Sequence, residues 1–328
     1  MSKKYNIYTS SLGLGRSVLA LGNLTTLLFS SIYVLFPPYH LADLKRSVSG
    51  LERGNLFLLF DYNHIWIAYS IAVVILLIVI SGIYPRVTCL LHAWVACSLY
   101  QSILIVEGGD QITEIISLLL IPICLFDPRK NHWSRLDNDH RPFIIRYFVY
   151  CALLFIQFQM AVLYLDAGVE KMRVDAWTEG TAVYYWFNHN VFGAPHWLRT
   201  GLAGGLSNPF FISSITWGVI LLELFLFTAI FHKRRYKYVL FLFAIVFHFA
   251  IFLTHGLPSF GLSMYAGLIF YLWRMDFTVK ENYLSIRRIF KPIKNFRLGR
   301  LKVLEERVFD NRDPEFNLKS LDENSKVS

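Results

Sequence analysis

Ile65-Trp-Ile-Ala-Tyr-Ser-Ile-Ala-Val-Val-Ile-Leu-Leu-Ile-Val-Ile-Ser-Gly-Ile-Tyr84 reads from end to end without a charged residue. A bilayer-crossing helix needs roughly 20 mainly apolar residues, and only a helix satisfies its own backbone polar groups in lipid. The run is therefore read as a membrane span. Outward from it, similar runs cover 88–106, 111–126, 143–165, 211–231, 238–254 and 259–273 on the C-terminal side and 17–36 on the N-terminal side. The expected fold is all-α, a polytopic integral membrane bundle of about eight transmembrane helices.

Composition agrees. The 328 residues are 55% apolar, 16% aromatic and only 17% charged, with a mean hydropathy of +0.44. Soluble domains run at about 45–50% apolar and about 25% charged. A soluble globular enzyme and a disordered chain are poor fits. The net charge of +9 does not point to nucleic acid, because the Lys and Arg sit in short connections between apolar runs. The first run follows Lys3 and Lys4 but reaches Pro37-Pro38-Tyr39 without a small-residue cleavage site, so it is expected to stay as a span. Cys89, Cys97, Cys124 and Cys151 lie inside apolar runs with no CxxC spacing and read as buried thiols.

The connections carry the orientation. Arg129, Lys130, Arg135 and Arg141, then Lys233, Arg234, Arg235 and Lys237, and the basic stretch after Trp273 fall on one face, whereas Glu107-Gly108-Gly109-Asp110 and the segment 166–209 fall on the other. The positive-inside rule places the first face, with both termini, in the cytoplasm. Residues 1–275 form the expected transmembrane domain and 276–304 a basic juxtamembrane segment, with Ile286, Ile289, Phe290 and Ile293 at helical spacing among Arg287, Arg288, Lys291 and Lys294. Residues 305–328 read as a disordered tail.

An ionisable side chain in a bilayer is costly and marks a site by default. Lys171 lies just past the fifth run beside Asp166 and Glu170, Glu223 interrupts the sixth, and His248 sits in the seventh with His255 a heptad later. Glu107, Asp110 and Glu114 reach the same outer level, and Trp177, Tyr184 and Tyr185 belong to an aromatic segment that could cover it. Lys171 reads as a base if it loses its proton, or as an ion-pair partner of Asp166 or Glu170. Arg16 and Arg146, at the inner ends of the first and fifth runs, read as snorkelling cations, and Asp110 also as a helix cap. No spacing supports a metal site, and no GxSxG, P-loop, HExxH or GxGxxG occurs.

Two passages go further. Tyr164-Leu-Asp-Ala-Gly-Val-Glu-Lys171 followed by Trp177-Thr-Glu-Gly-Thr-Ala-Val-Tyr-Tyr185 resembles the central motif of the HTTM membrane domain shared with vitamin K-dependent gamma-carboxylases, including Gly168 and Gly180. Leu12-Gly-Leu-Gly-Arg-Ser-Val-Leu-Ala-Leu-Gly22, Val34-Leu-Phe-Pro-Pro38, Gly108-Gly-Asp-Gln-Ile112 and Phe126-Asp-Pro-Arg-Lys-Asn-His-Trp133 resemble the sporulation-delaying-protein B (SdpB) family, in which Arg16, Gly108 and Gly109 belong to the pattern.

The resemblance implies a bacterial inner-membrane protein needed for maturation or export of a secreted antimicrobial peptide toxin from its precursor, with an SdpA-type companion. In the carboxylases the matching lysine is the base that deprotonates a reduced quinone, so a quinone-dependent enzyme with Lys171 as base and a lipid quinone between the helices is a second reading. A third is a transporter with Lys171, His248 and Glu223 as a polar file. Whether the protein is an enzyme stays open at this level.

Overall fold

The computed structural model describes residues 6–136 and 139–289. The chain divides into two units, Met1–Leu284 and Ser285–Ser328. The expected tail, and the part of the basic juxtamembrane segment beyond Ile289, lie outside the described residues.

The first unit is built from α1 (Ser10–Phe29), α2 (Ile65–Ser81), α3 (Pro85–Ser102), α4 (Gly108–Leu125), α5 (Phe143–Lys171), α6 (Pro209–Thr228), α7 (Arg234–His255) and α8 (Pro258–Leu272), followed by the start of α9 (Val279–Ile289). No strand occurs among the described residues. Helix α2 shows why the sequence folds this way. Ile65, Ala68, Ala72, Ile75, Leu76 and Val79 recur at helical spacing and are buried, while Trp66, Val74, Leu77 and Ile78 on the other side are exposed. Such an apolar outer face would be a liability in water and is what lipid requires.

Among the described residues, six helices are long and apolar enough to cross a membrane: α1, the stretch Tyr62–Ser81 containing α2, α4, α5, α6 with its extension to Phe231, and α7. The expected eight is thus approximate. All eight apolar runs form helices, but α3 is not among these six and α8 has only 15 residues. Helix α8 is packed within the protein, with Gly261, Ser263, Met264 and the whole of Ala266–Leu272 buried, so it need not meet the length and hydropathy that lipid contact demands.

The first helix also starts earlier than expected. Thr9 caps it by accepting from the Ser11 N–H, and it ends at Phe29, leaving residues 32–35 as a separate turn. The Gly- and Arg-containing stretch 12–16 belongs to the helix because α1 faces protein here, with Leu12, Gly13, Gly15 and Arg16 buried. Its Gly15 lies under the Phe270 ring of α8, where an added Cβ would come within 2.5 Å, and Gly22 lies under Ser263. The two helices run antiparallel at a separation that only small residues permit.

Successive helices alternate in direction. One end of the bundle gathers the start of α1, the end of α8 and the connection 127–141. There Thr9 Oγ1 donates to Met275 O at 2.8 Å, and Arg129 clamps Asp127 through Nε and Nη2 while its Nη1 donates to Thr9 O, His132 O and Ser134 O. Tyr8 lies beneath Arg141, 4.2 Å from ring centre to guanidinium, and Asn282 of α9 accepts from Tyr238 OH while donating to Ser11 Oγ. This is the basic end. The opposite end holds the α3–α4 turn and the short helices between α5 and α6, Asp175–Thr178, Ala182–Phe187, His196–Gly201 and Ala203–Leu206.

Candidate functional site

Helix α5 is 29 residues long, so at about 1.5 Å per residue it spans about 43 Å, well over the roughly 30 Å hydrocarbon core. Its last turns carry Tyr164, Gly168 and Lys171 to the end opposite the basic one. Gly168 rests on α6, where an added Cβ would stand 3.1 Å from Leu224 and 3.7 Å from the Cβ of Glu223. That close approach brings the neighbouring side chains together. Lys171 Nζ donates to Glu223 Oε1 at 2.8 Å and to Ala167 O at 3.3 Å, with the Trp177 ring centre 5.3 Å away. The Glu223 side chain is only 5% exposed and that of Lys171 22%.

Beside the pair, Tyr164 OH and His248 Nε2 are 3.1 Å apart, joining α5 to α7. Glu223 Oε2 and His248 Nδ1 are buried and have no hydrogen-bond partner. The group therefore combines an ion pair, a phenol–imidazole bond and two unused polar positions. Tyr164, seven residues before Lys171 and so on the same face of α5, was not singled out as a site residue in the sequence; that spacing was the available signal.

The pairing differs from the expected one. Glu170 is taken by Arg173, whose Nη1 donates to it at 2.6 Å, and the partner of Lys171 comes from α6 instead of its own helix. Residue 170 precedes 171 on the helix and so points to a different face. Lys171 and Glu223 are in direct contact, and His248 on a third helix is bonded to Tyr164 beside them.

The other acidic residues form a second group. Glu107 and Asp110 make a capping box at the start of α4, each side chain accepting from the other's backbone N–H, and Ser259 Oγ donates to Glu107 Oε1. Asp110 is buried and accepts from Thr26 Oγ1 at 3.5 Å. Glu114 is half-buried beside Cys97. Gly109 sits on the backbone of Phe260, where an added Cβ would be 2.7 Å from its Cα, and Gly108 touches the same ring more loosely. Phe260 is the link between the groups, since its ring also packs against His248 with centroids 5.6 Å apart.

Above them lies the aromatic segment. Gly180, at φ +75°, turns the chain against Ser213 of α6, where an added Cβ would lie 2.8 Å from Oγ. With Thr181, Tyr184, Tyr185, Pro209 and Ile212 it lines a pocket of about 210 Å³. His255 ends α7, stands 2.6 Å from Phe192 O through Nδ1 and packs edge-on against Trp186, so it anchors this segment and does not continue the His248 site.

At the basic end, Arg16 does not snorkel. It is 1% exposed and bonded to Thr88 and His132 inside the bundle. No group of three or more His, Cys, Asp or Glu able to hold a metal occurs among the described residues.

Over 289 residues, covering 86% of both chains, the protein is 32% identical to sporulation-delaying protein SdpB of Bacillus subtilis (strain 168). The chain belongs to the SdpB family. A second relative, the uncharacterized protein YitO of the same organism, is 32% identical over 290 residues, 87% of this chain and 91% of YitO. No family model and no solved structure matches.

Proposed function

We propose that this member of the SdpB family serves a sporulation-delaying type of antimicrobial-peptide system as an inner-membrane protein for maturation or export of a secreted peptide toxin, working on the precursor together with an SdpA-type companion. The similarity to SdpB over most of both chains carries the reading. The cluster of Lys171, Glu223, Tyr164 and His248 supports it with a place to act: a charged, partly shielded group under an aromatic cover, where Glu223 Oε2 and His248 Nδ1 are free to meet a polar group of a bound chain. The positive-inside rule puts that end outside the cell, where a secreted precursor emerges.

The quinone-dependent alternative requires a free lone pair on Lys171. Its Nζ is instead engaged with Glu223 Oε1 and Ala167 O, so the geometry does not present a quinone base and no step is assigned through that cofactor. Mass spectrometry of precursor, secreted peptide and mature product, with and without the gene, tests the proposal. Accumulation of unprocessed or cell-retained precursor in the deletion is expected; identical products at normal yield would refute it.

A further inference from the structure

The basic end contains a second group of buried polar side chains, separate from the Lys171 cluster. Arg16 lies in the second turn of α1, about 9 Å along the axis from Ser10, and is 1% exposed. Its Nη1 stands 2.9 Å from His132 Nδ1, its Nη2 donates to Thr88 Oγ1 at 3.2 Å, and its buried Nε has no partner. A guanidinium can only donate, so His132 Nδ1 accepts; its Nε2–H is then left for Ser17 Oγ, 3.2 Å away, whose hydroxyl donates to Ile80 O. His132 is thus a neutral partner.

No carboxylate among the described residues neutralises Arg16. Asp127, on the adjacent connection, is occupied by Arg129. Of the nearby thiols, Cys89 Sγ donates to Arg86 O at 3.2 Å. One turn along α3 from Thr88, His92 is 2% exposed and its Nε2 also lacks a partner. A buried cation with donors to spare and no anion is strongly unfavourable by itself, and His92 lies within reach of the Arg16 charge, so the two unmet nitrogens belong to one neighbourhood.

We infer that Arg16 and His92 form a binding site for an oxyanion of the phosphate type. The guanidinium edge formed by Nε and an Nη matches two phosphate oxygens, and His92 Nε2–H offers a third donor from the facing helix. The phosphate can come from a free phosphate compound or from the headgroup of a membrane phospholipid, which lies at the level of helix ends. Towards the basic end the group is bounded by His132, whose ring stands against Gly13 and Gly82.

The test uses the purified full-length protein in detergent. Inorganic phosphate, compared with chloride at equal ionic strength, should raise the thermal midpoint of the wild type by several degrees in a saturable manner, unless tightly held phospholipid already fills the site. Native mass spectrometry distinguishes these sources: retained phospholipid identifies the headgroup, and a phosphate-dependent shift without lipid identifies the free anion. His92→Phe, which removes an unpaired nitrogen and should fold at least as well, and Arg16→Lys, which keeps the charge but loses the fork, should each weaken the response or the lipid retention about tenfold. Neither a phosphate shift nor bound phospholipid in the wild type would overturn the assignment, as would variants that respond like the wild type.

Discussion

Lys171 and Glu223 meet at 2.8 Å across the junction of α5 and α6, directly beside the point where Gly168 lets the two helices touch. Neither residue finds a closer opposite charge on its own helix, so the pair depends on the fold and in turn fixes the end of α5 under Trp177. Removing one member of a largely buried pair costs about 3–5 kcal/mol, because the other is left uncompensated.

The first prediction follows from that pairing. Lys171→Ala and Glu223→Gln should each abolish toxin maturation. Lys171→Arg should retain much of it, since arginine keeps the charge and the reach but cannot serve as a base near neutral pH. Peptide products and membrane levels of each variant are the measurements. A silent arginine variant present at normal level would instead make Lys171 a proton-transfer group.

The membrane architecture was legible because lipid imposes a length and an apolar content on each exposed helix, and α2 meets both without help from the rest of the chain. Helices shielded by protein escape that rule, which is why α1 begins before its apolar run and why α8, legible as the run 259–273, is shorter than a lipid-exposed span. Lys171, Glu223 and His248 were visible as charges out of place. Their partners were not, because a contact between residues 171 and 223 depends on how α5 and α6 pack, and neither residue's neighbours in sequence encode it. Arg16 misled for the same reason: a cation near a helix end normally reaches for water, and only the connection carrying His132 turns it inward.

A second prediction concerns orientation. In a background with the native cysteines replaced, single cysteines at Asn190 and Arg235, both exposed and at opposite ends of the bundle, should react with a membrane-impermeant maleimide from outside and only after permeabilisation, respectively. The reverse pattern would place the basic end outside, against the positive-inside rule.

A third compares two helical glycines. At Gly15 an added Cβ would lie 2.5 Å from the Phe270 ring, while at Gly218 of α6 it would meet nothing within 4 Å. Gly15→Ala should lower stability by about 1–3 kcal/mol through overpacking. Gly218→Ala should be neutral or stabilise by about 0.5–1 kcal/mol through helix propensity. Thermal unfolding in detergent reads both, and equal effects at the two sites would show that the α1–α8 contact is looser than described.

The last prediction is a pH dependence from His132, which lies in the connection between α4 and α5. Burial, and then the charges of Arg16 and Arg129, push its pKa from the ordinary 6.5 down to about 3. In the unfolded chain the imidazole takes up a proton as the pH falls below about 6.5, while in the folded protein it stays neutral with Nδ1 facing Arg16. The unfolded state therefore binds more protons between those two values, and the stability supplied by neutral His132 is complete above about pH 6.5 and declines as the medium is acidified, approaching about 1.4 kcal/mol per pH unit well below the upper value. His132→Gln removes the titration and keeps an acceptor for the guanidinium. Its stability should be lower than that of the wild type at pH 7.5, and the gap should narrow steadily towards pH 5. A gap that stays constant over this range would mean that His132 titrates alike in the folded and unfolded chains, and that the Arg16 contact does not hold it neutral.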